Sequence, residues 1–280
     1  MRHLFHNIIL LFVILFSLFA CKEDNNVNGS SQLVIEGWID NDNFPIVKVT
    51  RTVTMGNDFV DISELNKYVE RWAKVTINDG EKEVILSGQY NKSSYPPFIY
   101  TTTDMRGQLG KTYHLSVDTP EGLHAEATTT IPYPAVIDSF KVEEVAQDDS
   151  VMYQIYGYTS YRGACKIFTR DSNHDTEFLS AYLGIYDSTM LSHDGCLSIS
   201  RGRSGFSHEY TPFFEKGTTV YVKFSTLTDE GYRFWRNFED MVSLSTNPLF
   251  PATTNLPSNI QGGLGYWLGY GSTYYRVAIR

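Results

Sequence analysis

Three histidines each stand directly before an acid: His174-Asp175, His193-Asp194 and His208-Glu209. Imidazole and carboxylate both suit divalent metals, so loops that gathered these pairs would make a metal site. Within one strand, adjacent residues point to opposite faces, and each pair by itself chelates poorly. Asp171, Asn173 and Asp175 alternate oxygen ligands as a calcium loop does, but Thr176 stands where the sixth-position glycine belongs and Tyr182 takes the twelfth position. The expectation is a polar hairpin tip and no metal or other cofactor, with these three as the remaining candidate ligands. A second group is aromatic. Tyr266, Trp267, Tyr270, Tyr274 and Tyr275 have the chemistry to stack on a sugar or pack on a partner if exposed, and to fill a sandwich core if not. Motifs with a catalytic mechanism are missing from the sequence. His208-Glu209 is followed by Tyr210, Thr211 and Pro212 rather than by the second histidine of a zinc protease, and no nucleophile elbow or Walker loop occurs. Gly263, Gly265 and Gly269 have the wrong spacing for a dinucleotide loop and read as strand bulges. The chain is therefore expected not to be an enzyme; a hydrolase would need scattered carboxylates to converge in space.

Cysteine supplies the remaining chemistry. Cys165 and Cys196 either pair as a disulfide in an oxidising compartment or stay as two buried thiols. Cys21 closes an apolar run, Ile8 to Ala20, that is 13 residues long and broken only by Ser17. A bilayer core needs about 20 apolar residues in a helix, so the run has the length of a signal-peptide core rather than of a span. Leu18-Phe19-Ala20-Cys21 resembles the lipobox of bacterial lipoproteins, in which small residues admit the peptidase and the cysteine thiol takes a diacylglycerol; Phe19 is bulkier than usual there. A lipoprotein signal peptide over residues 1–20 and lipid on Cys21 are the expectation. Lys22, Glu23 and Asp24 resemble a lysine-plus-acidic export tag, which implies an outer-membrane protein exposed at the cell surface, with the periplasmic face as the alternative. Residues 21–31 are polar apart from Val27 and the cysteine, and form a flexible, lipid-anchored tether. Net charge is −9. Nucleic-acid binding rests on Lys and Arg neutralising phosphate, so that class is excluded.

The elements that must position these residues are mostly strands. "LVIEGWID" is rich in β-branched and aromatic residues, and "RWAKVTIN" and "EKEVILSG" flank Asp79-Gly80, the signal of a tight type I′ hairpin. "KTYHLSVD" and "GLHAEATTTI" make a second hairpin around Thr119 to Gly122, with Tyr113, Leu115 and Val117 on one face. Six or seven short strands over residues 32–132 predict an immunoglobulin- or fibronectin-like β-sandwich. Pro132 and Pro134 cannot donate to a ladder and mark a joint, after which residues 133–280 form a second, β-rich domain. That domain carries one amphipathic helix over about residues 228–244: Thr228 is its N-cap, Asp229 and Glu230 suit the first turn, and Tyr232, Trp235, Phe238 and Val242 recur at helical spacing.

"LVIEGWID" after the tether, "GKTYHLSV", "TTTIP" followed by "IDSF", the aromatic helix and "NPLFPATTNLPSNIQGGLGYW" stand in one order along the chain. Together they resemble a Bacteroidota outer-membrane lipoprotein family catalogued as domain-of-unknown-function family 4249. The resemblance implies an outer-membrane lipoprotein with an N-terminal immunoglobulin-like sandwich, often encoded beside TonB-dependent receptors, and supplies no catalytic residues. The expected function is that of a non-enzymatic surface lipoprotein assisting a TonB-dependent transporter, with a glycan or small nutrient as ligand. The alternative is an independent glycan- or matrix-binding adhesin using the C-terminal aromatics.

Overall fold

The protein is described by a computed structural model that covers residues 31–52, 66–147, 150–203, 210–245 and 256–280. Cys21, Lys22, Glu23, Asp24, His208 and Glu209 lie outside the described residues. The strands are β1 (Leu33–Asp40), β2 (Ile46–Arg51), β3 (Lys74–Asn78), β4 (Glu83–Ile85), β5 (Ser87–Tyr90), β6 (Phe98–Thr101), β7 (Thr112–Asp118) and β8 (His124–Thr130), followed by β9 (Ser139–Gln147), β10 (Ser150–Tyr158), β11 (Cys165–Asp171), β12 (Leu179–Tyr186), β13 (Cys196–Ile199), β14 (Thr219–Thr226) and β15 (Gly263–Ala278). One helix, α1 (Asp229–Ser245), lies between the last two strands. Among the described residues no helix is long and apolar enough to cross a membrane.

An eight-stranded sheet in the order β12-β11-β14-β15-β1-β2-β6-β5 organises the molecule. Alternation decides its two faces. Odd residues of β1, Leu33, Ile35 and Ile39, go to a core shared with the four-stranded sheet β4-β3-β7-β8, where Tyr113, Leu115 and Val117 meet them fully buried, as their spacing predicts. At the other end, Ile167, Val222 and Phe224 pack against Ile155, Leu197 and Ile199 of the three-stranded sheet β13-β10-β9. The opposite face of the large sheet is partly covered by α1, whose Phe234 and Trp235 bury against Phe168, Leu268 and Tyr270. Thr228 caps the helix as expected: its hydroxyl accepts from the Gly231 N–H at 3.3 Å.

The mainly β class with one amphipathic helix matches the expectation. The expected division at residue 132 does not separate two independent bodies, because residues 32–280 form one compact unit. β15 is the cause. It runs for 16 residues, pairs parallel with β1 from Leu33↔Gly263 to Asp40↔Tyr270, and continues antiparallel to β14 from Thr226↔Gly271 to Thr219↔Ala278. Trp267 and Ile260 thereby enter the core of the N-terminal half. A sandwich confined to residues 32–132 would lack them. The first hairpin also differs in detail: a four-residue loop replaces the tight turn, because the Asp79 side chain accepts from the N–H groups of Glu81 and Lys82 at 3.0 and 2.8 Å, and only Gly80 has positive φ.

Candidate functional site

Even-numbered residues of β1 reach the face of the large sheet that α1 partly covers. Glu36, Trp38 and Asp40 therefore point the same way, and neighbouring strands bring Lys48 opposite Glu36, Tyr266 beside Glu36 and Tyr270 beside Asp40. Phe168 and Lys223 are paired across β11 and β14 on this face, and Lys223 is opposite Tyr274 of β15. With the β5–β6 hairpin on one side and α1 on the other, these residues line an open cleft of about 1240 Å³. A recess of about 230 Å³ adjoins it at the helix, sharing Ser180, Arg203 and Phe238.

The floor of the cleft is an ionic and phenolic network. Lys223 Nζ lies 2.6 Å from Asp40 Oδ1, with both side chains 7% exposed, and sits over the rings of Phe168 and Tyr270 at 4.9 and 4.8 Å. Ser272 donates to the same Asp40 oxygen at 2.8 Å. Lys48 Nζ reaches Glu36 Oε1 at 3.4 Å and the Tyr95 carbonyl at 3.1 Å. The Tyr266 hydroxyl also donates to Glu36, at 3.1 Å, and Trp235 Nε1 donates to the Tyr270 hydroxyl at 2.8 Å. Burial, followed by the charge of Glu36, holds the Tyr266 phenol well above its ordinary value, so it serves as a hydroxyl donor at neutral pH. Tyr270 is raised for the same first reason. Glu177 on the cleft wall is raised as well, by burial.

Strand alternation divides the five C-terminal aromatics. Tyr266, Tyr270 and Tyr274 line the cleft, and Tyr274 is 47% exposed, its hydroxyl accepting from Asn43 at 3.1 Å and its ring meeting Phe178 edge-on at 5.8 Å. Trp267 points the other way, fully buried, with Nε1 donating to the Tyr113 carbonyl. Tyr275 also faces the interior side, its hydroxyl accepting from the Ile137 N–H at 2.6 Å. An exposed ligand or partner surface built from all five is therefore corrected: only Tyr274 is exposed, Tyr266 and Tyr270 lie in the floor with Tyr270 buried, and the adhesin reading loses its tryptophan. Glu36, Trp38, Asp40, Lys48, Phe178 and Lys223 were absent from the sequence-based site. Their signal was present in "LVIEGWID", where charged and aromatic residues share one parity of a strand that is otherwise apolar.

The metal and thiol candidates lie elsewhere. Asp171 Oδ1 accepts from the Asn173 N–H at 2.9 Å and from Thr218, while Asp175 accepts from the Asp171 N–H at 2.8 Å, so these oxygens close their own loop. Among the described residues no group of three His, Cys, Asp or Glu side chains is arranged to hold a metal ion. His174 pairs with Glu215 at 3.4 Å, whereas Asp194 accepts from Ser192 at 2.5 Å, so the loops do not gather the two described histidine pairs. Cys165 on β11 and Cys196 on β13 are both free thiols rather than a disulfide. Burial pushes the Cys165 thiol up to about 12 and leaves it inert as a nucleophile.

The domain of unknown function DUF4249 matches residues 19–276. The chain belongs to this family. The match takes in both halves of the molecule, so the large sheet, β15 and the cleft all fall inside the DUF4249 region. A search of curated proteins finds no match.

Proposed function

We propose that this DUF4249 chain is a non-enzymatic, lipid-anchored protein of the outer membrane, exposed at the cell surface, which captures a nutrient in the cleft and assists a TonB-dependent transporter. The observation that carries the capture role is the cleft itself: about 1240 Å³, open, and lined by Trp38, Phe178 and Tyr274 above a floor of paired charges. Ligand sites are concave, with apolar and aromatic walls and a few fixed polar groups, and this cleft has both. The address rests on the sequence: Cys21 takes the lipid, Lys22, Glu23 and Asp24 direct export, and residues 22–31, at about 3.3 Å each, reach on the order of 33 Å from the bilayer.

The test is purification of tagged full-length protein from gently solubilised outer membranes of its own cells. A TonB-dependent barrel is expected to come with it, and recovery of the protein without any barrel overturns the partnership. A Cys21→Ala variant is expected to leave the membrane fraction; retention after signal removal overturns the anchor. Protease shaving of intact cells is expected to remove the protein, and full protection would place it on the periplasmic face.

A further inference from the structure

We propose that the cleft takes a neutral oligosaccharide, bound as a chain that runs from the β5–β6 hairpin across Tyr274 and Phe178 toward the recess beside α1. This inference rests on the capture reading and names the class of its ligand.

Charge is the first argument. The lining of the cleft carries four carboxylates and four cationic side chains, which cancel. The two lysines on the floor are already neutralised in place, Lys223 by Asp40 at 2.6 Å and Lys48 by Glu36 at 3.4 Å. An ionic ligand seated on the floor at either lysine would have to pull one member away from a partly or wholly buried partner, which leaves an uncompensated charge. A polyhydroxyl ligand has no such conflict. Its hydroxyls donate to the remaining carboxylate lone pairs and accept from ammonium N–H groups while both pairs stay closed.

The walls supply the second argument, because they differ from each other. On the hairpin side Ser87, Gln89, Asn91 and Ser93 line the cleft with uncharged hydroxyls and amides, which donate and accept and so match ring hydroxyls. Trp38, Phe178 and Tyr274 line the rest of it with aromatic rings, whose flat apolar faces suit the C–H side of a sugar ring, one face of Trp38 being taken by Lys48 at 5.5 Å. Tyr274 is held by Asn43 and by the edge of Phe178, so this platform is ordered before a ligand arrives.

Size is the third. A volume of about 1240 Å³ exceeds the roughly 300–1,000 Å³ of sites for single small molecules. The adjoining recess of about 230 Å³ extends it in one direction, past Phe238. An elongated site favours a chain over one monosaccharide.

The experiment is calorimetric titration of the purified full chain in detergent. The probes are neutral hexasaccharides of glucan, mannan, xylan and galactan type, their disaccharides, an anionic hexagalacturonate, and a mixture of hexapeptides. At least one neutral hexasaccharide is expected to bind, at least tenfold more tightly than its disaccharide and than the anionic hexamer. Phe178→Ala and Tyr274→Ala are each expected to weaken that binding tenfold or more, with an unfolding midpoint within a few degrees of the parent because neither ring is fully buried. Binding of hexapeptides or hexagalacturonate with no neutral sugar bound overturns the oligosaccharide and leaves the capture reading standing. Silence from every probe overturns the oligosaccharide too. Sugar binding that survives both substitutions overturns its placement in this cleft. Failure of the transporter partnership shows separately, as a missing barrel in the purification above.

Discussion

Lys223 and Asp40 are a buried ion pair at the floor of the cleft, and their energetics are asymmetric. Removing one partner strands the other charge in a dry site, a loss of about 3–5 kcal/mol, whereas replacing both by apolar groups of similar size is often near neutral. Lys223→Met alone is therefore expected to lower unfolding stability in urea by about 3–5 kcal/mol, and the Lys223→Met/Asp40→Leu double variant by much less. A loss in the double variant equal to the sum of the Lys223→Met and Asp40→Leu losses would show that the pair is not coupled. Trp267 gives a second prediction at this scale. Trp267→Ala empties a fully buried site in the core of the N-terminal half and is expected to cost about 3–5 kcal/mol, with the cleft tyrosines untouched on the opposite face. A loss below about 1 kcal/mol would mean that this core closes without it. The parity that separates Trp267 from Tyr266 is legible in the sequence once β15 is known to be one strand. Taking the aromatics as a composition cluster hid it.

Among the elements, α1 was readable almost to the residue, because its cap, first-turn acids and aromatic stripe are all local signals. What the stripe covers was not local. Tyr232 donates to Asp187 at the start of the β12–β13 connection, and Glu239 pairs with Lys166, a lysine with no solvent exposure at all. The Thr189 hydroxyl, and then Tyr232, hold the Asp187 carboxyl at about 2, below its ordinary 3.8. A carboxylate whose folded value is depressed contributes stability that is present above the unfolded value and lost as pH falls through the folded one. The link between α1 and the turn after β12 should then weaken between about pH 4 and pH 2. Asp187→Asn is expected to flatten the fall in thermal unfolding midpoint over that window, and an unchanged acid slope would refute the assignment. The type I′ turn at Asp79-Gly80 failed for a related reason: an Asp side chain that caps two following N–H groups stabilises a longer loop, a competition that dipeptide identity alone does not decide.

For the whole molecule, the strands themselves and the mainly β class were legible, while the way the halves join was not. Pairing between residues 33–40 and 263–270 leaves no local trace, since it joins segments more than 200 residues apart. The cleft depends on that pairing, which is why its floor could not be assembled from sequence neighbours. Pro132 and Pro134 do end β8's run, but the joint they make lies alongside β15, where the Pro132 carbonyl approaches Gly271 closely enough that a Cβ there would meet it at 2.2 Å. Residues 32–132 expressed alone lack the Trp267 and Ile260 contributions to their core and the β15 partner of β1, and are expected to be insoluble or partly folded by circular dichroism. Co-expression with residues 133–280 is expected to restore a soluble complex. A soluble, cooperatively unfolding 32–132 fragment would show that the two halves are independent after all.

The parallel pairing of β1 with β15 also sets a schedule. A chain emerging in order presents β1 long before its neighbour exists, so the central sheet stays open along that edge until residues near 270 arrive. Contacts of such sequence separation make folding slow. The large sheet becomes continuous only when β15 pairs with β1 on one side and β14 on the other, as its keystone.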